Sequence, residues 1–356
     1  MKIGTDQYNT FDTMTMDCWN DRVYYEGKEF PAGHFAAEIL NFAGVIHDPL
    51  LERITVLTAL VDDLSTAEKS KRHDIAAQLK PLLHDTVSWL YTCPPFCYCE
   101  SQGAYEDIEL ALSGERLDRD YEEEEAHLPY LALSFCEPIL RILVAIYNFC
   151  LLIRTFEMKY LRRSKQRNAD AFAKAAHECF DEDDSFLILL EQMPFGEVEE
   201  FFSYPRVITG FKYFQDENDE EKWKTAQRVI CKRAIDFYVF DLMNGLHHGH
   251  APSQCQGCGK YFLTTNGHIP KYCDGIAPQD SRYTCRQYGA MMHQKEQNKQ
   301  HPVYRLFATR TDTIRKHHQR GKISDDLRRE GLYLAGSYRD KALMDNDYAA
   351  DGYARD

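Results

Sequence analysis

Several features that would place this chain of 356 residues in a familiar class are missing. Its first seventeen residues are polar and lack the basic-then-apolar order of a secretory signal peptide. The most apolar stretch, 131–153, is interrupted by Glu137, Pro138 and Arg141, so that only residues 142–153 are free of charge, which is too short to cross a bilayer. These absences predict a cytoplasmic protein that makes no membrane contact.

The signatures of common enzymes are missing too. The chain has no phosphate-binding glycine loop, no Ser or Cys nucleophile elbow and no His-Glu-x-x-His metal motif. An HNH-type nuclease site needs histidines on a hairpin and a helix, whereas His268 falls on a turn and His293 is the one helical candidate. We therefore assign no catalytic residue, and a hydrolase or nuclease with an unrecognised site is our third functional alternative.

The sequence does contain a large apolar fraction and an uneven charge. Hydrophobic residues make up 44% of the chain and aromatic residues 13%, which argues against disorder and is ample for a packed core. The net charge is −14, yet residues 1–250 carry −19 and residues 251–356 carry +5. An acidic body with a basic C-terminal part favours a polyanionic partner at that end only.

Apolar residues at helical spacing predict a mainly α-helical domain over residues 35–247. They recur every three or four residues from Phe35 and resume after Asp48-Pro49. Residues 1–34 form a lead-in that either holds a short hairpin or packs irregularly. Further helices are predicted over 74–91, 131–161, 169–180 and 186–193, and over a segment from Trp223 to about Leu246 with Ala226, Ile230, Ala234 and Phe237 on its apolar face.

Four of the twelve cysteines lie within 31 residues and have the spacing of a structural zinc site. Cys255 and Cys258 form a Cys-x2-Cys pair that resembles a zinc knuckle, and Cys273 and Cys285 follow it. Four thiolates complete the tetrahedral shell that zinc takes in structural sites and leave no open position for catalysis. We predict one structural Zn²⁺ ion held by these four side chains.

The segments between the cysteines predict a treble-clef-like finger. Residues 260–263 and 270–272 flank Asn266-Gly267, the strongest short hairpin signal, and a helix is predicted over 286–299. A knuckle, a hairpin and a ligand at a helix start follow the order of a treble clef. Because so small a module buries little apolar surface, metal binding would largely drive its folding.

Other ligand sets stay open. One histidine, either His268 or a member of the run 247–250, could replace a cysteine, the four thiols could hold an iron–sulfur cluster, or they could be unrelated. The histidine run could also take part in acid–base chemistry or simply favour the helix end on which it lies. A second metal site would have to combine Cys93, Cys97 and Cys99 with His84, its nearest candidate ligand.

Basic side chains follow the finger, and we predict a zinc finger and basic helical module over 251–343. Helices are predicted over 303–318 and 322–343, and the acidic tail, 344–356, is expected to be disordered. Basic groups on such a module could contact the phosphates of DNA or RNA. The candidate residues are Lys271, Arg282, Arg286, Lys295, Lys299, Arg305, Arg310, Arg315, Lys316 and Arg320.

The cysteine frame gives residues 250–343 a resemblance to known proteins. The sequences Cys-Gln-Gly-Cys-Gly-Lys-Tyr-Phe from Cys255, Lys-Tyr-Cys ending at Cys273 and Thr-Cys-Arg around Cys285 resemble the C-terminal finger of an uncharacterised bacterial family with a helical N-terminal region. They are also similar to CGNR-type zinc fingers, although Arg286-Gln-Tyr stands where that motif has Gly-Asn-Arg.

The resemblance to CGNR-type proteins implies a transcriptional regulator. Together with it, the closed zinc site and the charge asymmetry between the two parts predict a nucleic-acid-binding regulator whose helical domain senses a ligand or contacts a protein partner. The alternative is a protein-interaction module without catalytic activity, in which zinc only staples the C-terminal region to the helical body.

Overall fold

The computed structural model describes residues 13–44, 47–99, 102–118, 128–191, 205–216, 219–267 and 271–355. The protein is mainly helical with some sheet. By its internal contacts the chain divides into two compact units. The first unit runs up to Cys255 and takes in Gly259–Pro270, and the second comprises Gln256–Cys258 and Lys271–Asp356.

The described part of the first unit contains nine α-helices, several of which lie where the apolar periodicity predicts them. The predicted helix over 169–180 is confirmed with the same bounds, and the break at Asp48-Pro49 lies close to the start of a new helix. The helices are α1 His34–Gly44, α2 His47–Thr66, α3 Lys69–Leu90, α4 Gln102–Ala111, α5 Gly114–Leu117, α6 Leu128–Lys159, α7 Ala169–Phe180, α8 Asp184–Glu191 and α9 Ala234–His247.

Helix α6 supplies the most apolar stretch of the chain. The segment Cys136–Arg163 is long and apolar enough to cross a membrane by length and composition, but 67% of its most apolar window is buried inside the protein. Phe149, Ile153 and Phe156 are fully buried in the core cluster. The helix therefore packs as a core helix does.

An antiparallel five-stranded sheet accompanies these helices. Its strands are β1 Met14–Trp19, β2 Arg22–Tyr25, β3 Lys28–Pro31, β4 Val207–Asp216 and β5 Asp219–Cys231, in the order β3-β2-β1-β5-β4. The prediction of a helix from Trp223 onward is wrong before Ala234, where α9 begins. Residues 219–231 are extended because they pair with β1, in which Asp17 lies opposite Arg228.

The core of the first unit joins the sheet to α1 and α9. The ring of Phe35 lies 5.3 Å from those of Tyr25 and Phe237, between centroids, and all three side chains are buried. At the start of α1, the backbone N–H groups of Gly33 and Ala36 donate to the buried carboxylate of Asp241, at 3.0 and 2.9 Å. Burial raises the pKa of Asp241 to about 7, although these backbone bonds act in the opposite direction.

A small hairpin, β6 Ala251–Gln254 with β7 Tyr261–Thr264, completes the described part of the first unit. The side chain of Asn41 in α1 extends this hairpin: its Nδ2 donates to the carbonyl of Tyr261 at 2.9 Å, and its Oδ1 accepts from the N–H of Tyr261 at 2.6 Å. The amide thus occupies the outer edge of β7 as a neighbouring strand would.

The second unit contains a short hairpin and a series of helices. They are β8 Ile276–Ala277, β9 Asp280–Thr284, α10 Cys285–Gln300, α11 Pro302–Gln319, α12 Asp325–Met344 and α13 Tyr353–Arg355, with a π-helical turn at Tyr348–Gly352. The structure describes the tail, which we expected to be disordered, up to residue 355. Tyr353 is only 2% exposed and packs with Val303 and Ala342, so the tail has an apolar anchor.

Candidate metal centre

The four predicted cysteines converge. Their Sγ atoms all lie within 4.8 Å of one another, and those of Cys258 and Cys273 are 3.6 Å apart. A disulfide would bring two sulfurs to about 2.05 Å, and all four thiols are free. Four sulfurs placed tetrahedrally at about 2.3 Å from a zinc ion would lie about 3.8 Å from one another. The cluster can therefore hold a metal ion.

The first two thiols lie on the loop that joins β6 to β7. The N–H of Cys255 donates to the carbonyl of Lys260 at 2.8 Å, and the N–H of Gly259 donates to the carbonyl of Cys255 at 2.9 Å. Gly259 has a φ of +75°, a conformation that other residues rarely adopt. The glycine after the second cysteine thus allows the turn that places both thiols on one side.

This pairing corrects the hairpin expected from the sequence. Strand β7 pairs with β6 across the knuckle, Gln254 lying opposite Tyr261, so Asn266-Gly267 follows the hairpin and is not its turn. The knuckle loop between β6 and β7 already reverses the direction of the chain. Strand β7 is therefore paired with β6, and Asn266 comes after this hairpin in the sequence. Residues 268–270, including the alternative ligand His268, lie outside the described residues.

The other two thiols flank the hairpin β8–β9, in which Ile276 lies opposite Thr284. The N–H of Cys285 donates to the carbonyl of Gly275 at 2.7 Å, and the N–H of Arg286 donates to the carbonyl of Cys273 at 3.1 Å. These bonds close a loop that brings the third and fourth cysteines together. Cys285 is the first residue of α10, as the sequence predicts.

Most of the cluster is screened from water. Cys255 is 2% exposed, Cys273 9% and Cys285 1%, whereas Cys258 is half-buried. The ring of Tyr272 lies against α10 so closely that a Cβ on Gly289 would come within 2.4 Å of it. Three buried thiols and one half-buried thiol would fill all four ligand positions of a tetrahedral ion, which suits a structural site.

Among the described residues, this is the one group of metal-ligating side chains close enough to share an ion. His250 is buried and its Nδ1 donates to the carbonyl of Ala32 at 3.0 Å. Cys99 Sγ is hydrogen-bonded to Tyr25 Oη at 3.2 Å, and His84 Nε2 to Glu109 Oε1 at 3.0 Å. The histidine run and Cys93, Cys97 and Cys99 therefore do not form a second site in this part of the chain.

Some of the candidate phosphate-binding cations are already engaged within the second unit. The guanidinium of Arg282 donates to both carboxylate oxygens of Asp280, at 2.9 and 2.7 Å. These hydrogen bonds lower the pKa of Asp280 to about 2. Arg310 donates to the carbonyl of Tyr353 at 2.7 Å. Two further ion pairs join Arg286 to Asp274 at 3.0 Å and Arg315 to Asp312 at 3.6 Å.

The remaining candidates are exposed cations, apart from Lys299, whose side chain lies outside the described residues. Arg305 and Lys316 are three helical turns apart on α11 and therefore share a face, which Arg320 extends at the end of the helix. The exposed candidates for which the described residues contain no ion pair are Lys271, Lys295, Arg305, Lys316 and Arg320.

Comparison with known proteins adds a family of unknown function. The model of this family, DUF6076, matches residues 203–356, which is less than half of the chain. The match begins just before β4 and covers the cysteine cluster and the helices after it. Similarity to CGNR-type zinc fingers is not shown. No curated protein and no solved structure matches the chain.

Proposed function

We propose that the four cysteines bind one structural Zn²⁺ ion. An all-thiolate shell suits zinc, and the sulfur separation agrees with a tetrahedral ion. The order of knuckle, hairpin β8–β9 and α10, with Cys285 at the helix start, supports a treble-clef-like finger. All twelve cysteines are free thiols, which supports a reducing compartment such as the cytoplasm.

On this zinc-stabilised module we place a nucleic-acid-binding function, and the protein would act as a regulator. The observation that carries it is the row of Arg305, Lys316 and Arg320 along α11, exposed and outside the ion pairs of the described residues. At 1.5 Å per residue this row is about 22 Å long. Each DNA strand carries one phosphate per about 3.4 Å of helix axis, so the row is long enough to contact several phosphates. No base-reading group is identified, so the contacts would be made to the backbone.

The test is a salt series of duplex DNA and RNA binding with wild type and two triple variants of equal charge change. The first variant is Arg305→Gln, Lys316→Gln and Arg320→Gln, and the matched control is Arg282→Gln, Arg315→Gln and Arg328→Gln, all ion-paired. The slope of log K against log salt should fall by about 2 to 3 in the first variant and much less in the control.

A wild-type protein that shows no retention at low salt would contradict this function. Equal loss in the two triple variants would also contradict it, because binding would then follow net charge and not the row on α11. The ion pairs within the second unit favour an alternative, a protein-interaction module. Such a module would contain the same amount of zinc but would not retain nucleic acid.

A further inference from the structure

The four thiols of the cluster differ in how well the protein covers them. Cys258 is half-buried, whereas the other three are at most 9% exposed. A Cβ on Gly257 would lie 3.4 Å from Sγ of Cys285. One on Gly275 would lie 3.4 Å from Sγ of Cys273, so the backbone faces both of these buried sulfurs. A reagent in the solvent therefore reaches Cys258 first.

The sulfur of Cys273 is within reach of this half-buried thiol. The two Sγ atoms are 3.6 Å apart, and a disulfide of about 2.05 Å needs them to approach by only about 1.6 Å. Cys273 lies in an irregular segment before β8, whereas Cys285 is fixed as the first residue of α10. Cys273 can therefore close the gap with the smaller rearrangement.

We propose that Cys258 is an oxidation site at which hydrogen peroxide opens the metal shell, with Cys273 as the resolving thiol. This inference rests on the zinc ion proposed above. The thiolate is the nucleophile toward peroxide, and a thiol that coordinates a metal is deprotonated. Oxidation favours thiolates that are exposed and lie next to a resolving cysteine, and Cys258 is the ligand that meets these conditions.

The chemistry takes two steps and consumes one peroxide. First the thiolate of Cys258 attacks a peroxide oxygen, so that an S–O bond forms, the O–O bond breaks and the hydroxide that leaves takes up a proton. Then the thiolate of Cys273 attacks the sulfur of Cys258, the S–S bond forms, and the second hydroxide leaves and is protonated. Each sulfur loses one electron, and the peroxide is reduced to two water molecules.

This disulfide removes two of the four ligands. Only Cys255 and Cys285 remain, and structural zinc needs a shell of four, so the protein loses its ion. The apolar cluster of the second unit is small, and metal binding is coupled to folding in modules of this kind. Oxidation should therefore loosen α10, and reduction of the disulfide by a thiol should restore the site.

The first measurement maps the disulfide in the zinc-loaded full chain. Zinc content is measured before and after a short exposure to hydrogen peroxide, the free thiols are blocked, and linked peptides are identified by mass spectrometry. We expect one zinc lost for each link between Cys258 and Cys273, and its return after reduction by dithiothreitol in the presence of zinc. A link between a different pair of the four, or zinc that stays bound while Cys258 is oxidised, would overturn the inference.

Two variants separate the role of Cys258 from that of thiols outside the cluster. Cys258→His keeps a zinc ligand at the half-buried position and should retain its zinc at a peroxide dose that empties wild type. The matched control Cys97→Ser removes an exposed thiol outside the cluster and should lose zinc as wild type does. Equal loss of zinc from Cys258→His and wild type would contradict the role of Cys258.

The zinc content before peroxide is added distinguishes the two proposals. A wild-type chain without zinc at that point would contradict the metal site itself. A chain that contains zinc and keeps it through the peroxide treatment would leave the metal site standing and overturn the oxidation site. The disulfide map is made on wild type, so this result does not depend on the folding of either variant.

Discussion

The two units differ in what stabilises them. The first has a continuous core in which aromatic side chains such as Phe35, Phe156 and Phe237 are fully buried between sheet and helices. The apolar cluster of the second unit consists of Val303, Ala342 and Tyr353 with a few partly buried neighbours. Since apolar burial is the main source of folding free energy, we expect the second unit to need another source, which a metal ion bound by the cysteine cluster would provide.

Metal removal should give the largest difference between the units. With a chelator, or in Cys285→Ser, we expect β8, β9 and α10 to lose their amide protection while α6 keeps it. Zinc contributes about 10–16 kcal/mol to the folding of isolated finger peptides, far more than one side chain. Hydrogen exchange read by mass spectrometry measures both regions at once.

The control for this experiment is Cys97→Ser, which removes an exposed thiol that lies outside the cluster. It should leave the protection of every region unchanged. If α10 stays protected after the metal has been removed, the second unit is stabilised by its own packing. The two units would then not differ in what stabilises them.

Truncation of a core side chain should destabilise the first unit and leave metal binding unchanged, the reverse of metal removal. Phe237→Ala removes a fully buried ring that contacts Tyr25 and Phe35, and it should lower the free energy of unfolding of the first unit by about 3–5 kcal/mol. Urea unfolding measures this change, and metal content should not alter. The control Leu327→Ala, at a 56% exposed position, should stay within about 0.5 kcal/mol. A loss of metal in Phe237→Ala would show that the two regions do not fold separately.

Next in size is a pH effect confined to the first unit. The pKa of Asp241 is raised from 3.8 to about 7, so the folded state holds its proton more tightly than the unfolded state. Stability relative to Asp241→Asn should therefore fall as pH rises from about 4 to 7, by up to about 4 kcal/mol, and level off above. Unfolding free energies of both proteins between pH 5 and 8 test this. A difference that is constant with pH would be incompatible with the raised pKa.

The smallest expected effect is at the hairpin that carries the knuckle. Asn41→Ala leaves the N–H and carbonyl of Tyr261 without the amide that bonds them, at a cost of about 1–3 kcal/mol. Asn41→Asp keeps the acceptor and loses the donor, so it is a matched intermediate. Local exchange of β7 should rise in both variants, more in Asn41→Ala. Unchanged exchange would mean that α1 does not support the hairpin.

Local patterns in the sequence predict a secondary-structure element well where that element depends only on local spacing. In α7, Phe172, Ala175 and Cys179 recur at helical intervals and are all buried, so both bounds could be predicted. Ala226 and Ile230 show similar spacing by coincidence. Their strand is fixed by β1, where Asp17 pairs with Arg228 from 211 residues away, and no local pattern reports such a contact.

The same distinction holds for the candidate site. The four cysteines could be predicted because thiols at knuckle spacing have one common use, whereas the hairpin was misplaced because Asn266-Gly267 is only a local turn signal. The Asn41 contact depends on how α1 packs against β7, 220 residues away in the chain, which the sequence does not reveal. Ion pairing of Arg282 with Asp280 likewise had no signal beyond their proximity in the chain.

The most direct test of the account is zinc K-edge X-ray absorption on the full chain, with the metal content measured on the same sample. We predict one zinc per chain with four sulfur neighbours at about 2.3 Å. Nitrogen or oxygen neighbours in the first shell, iron in place of zinc, or a protein that folds fully without metal would contradict it.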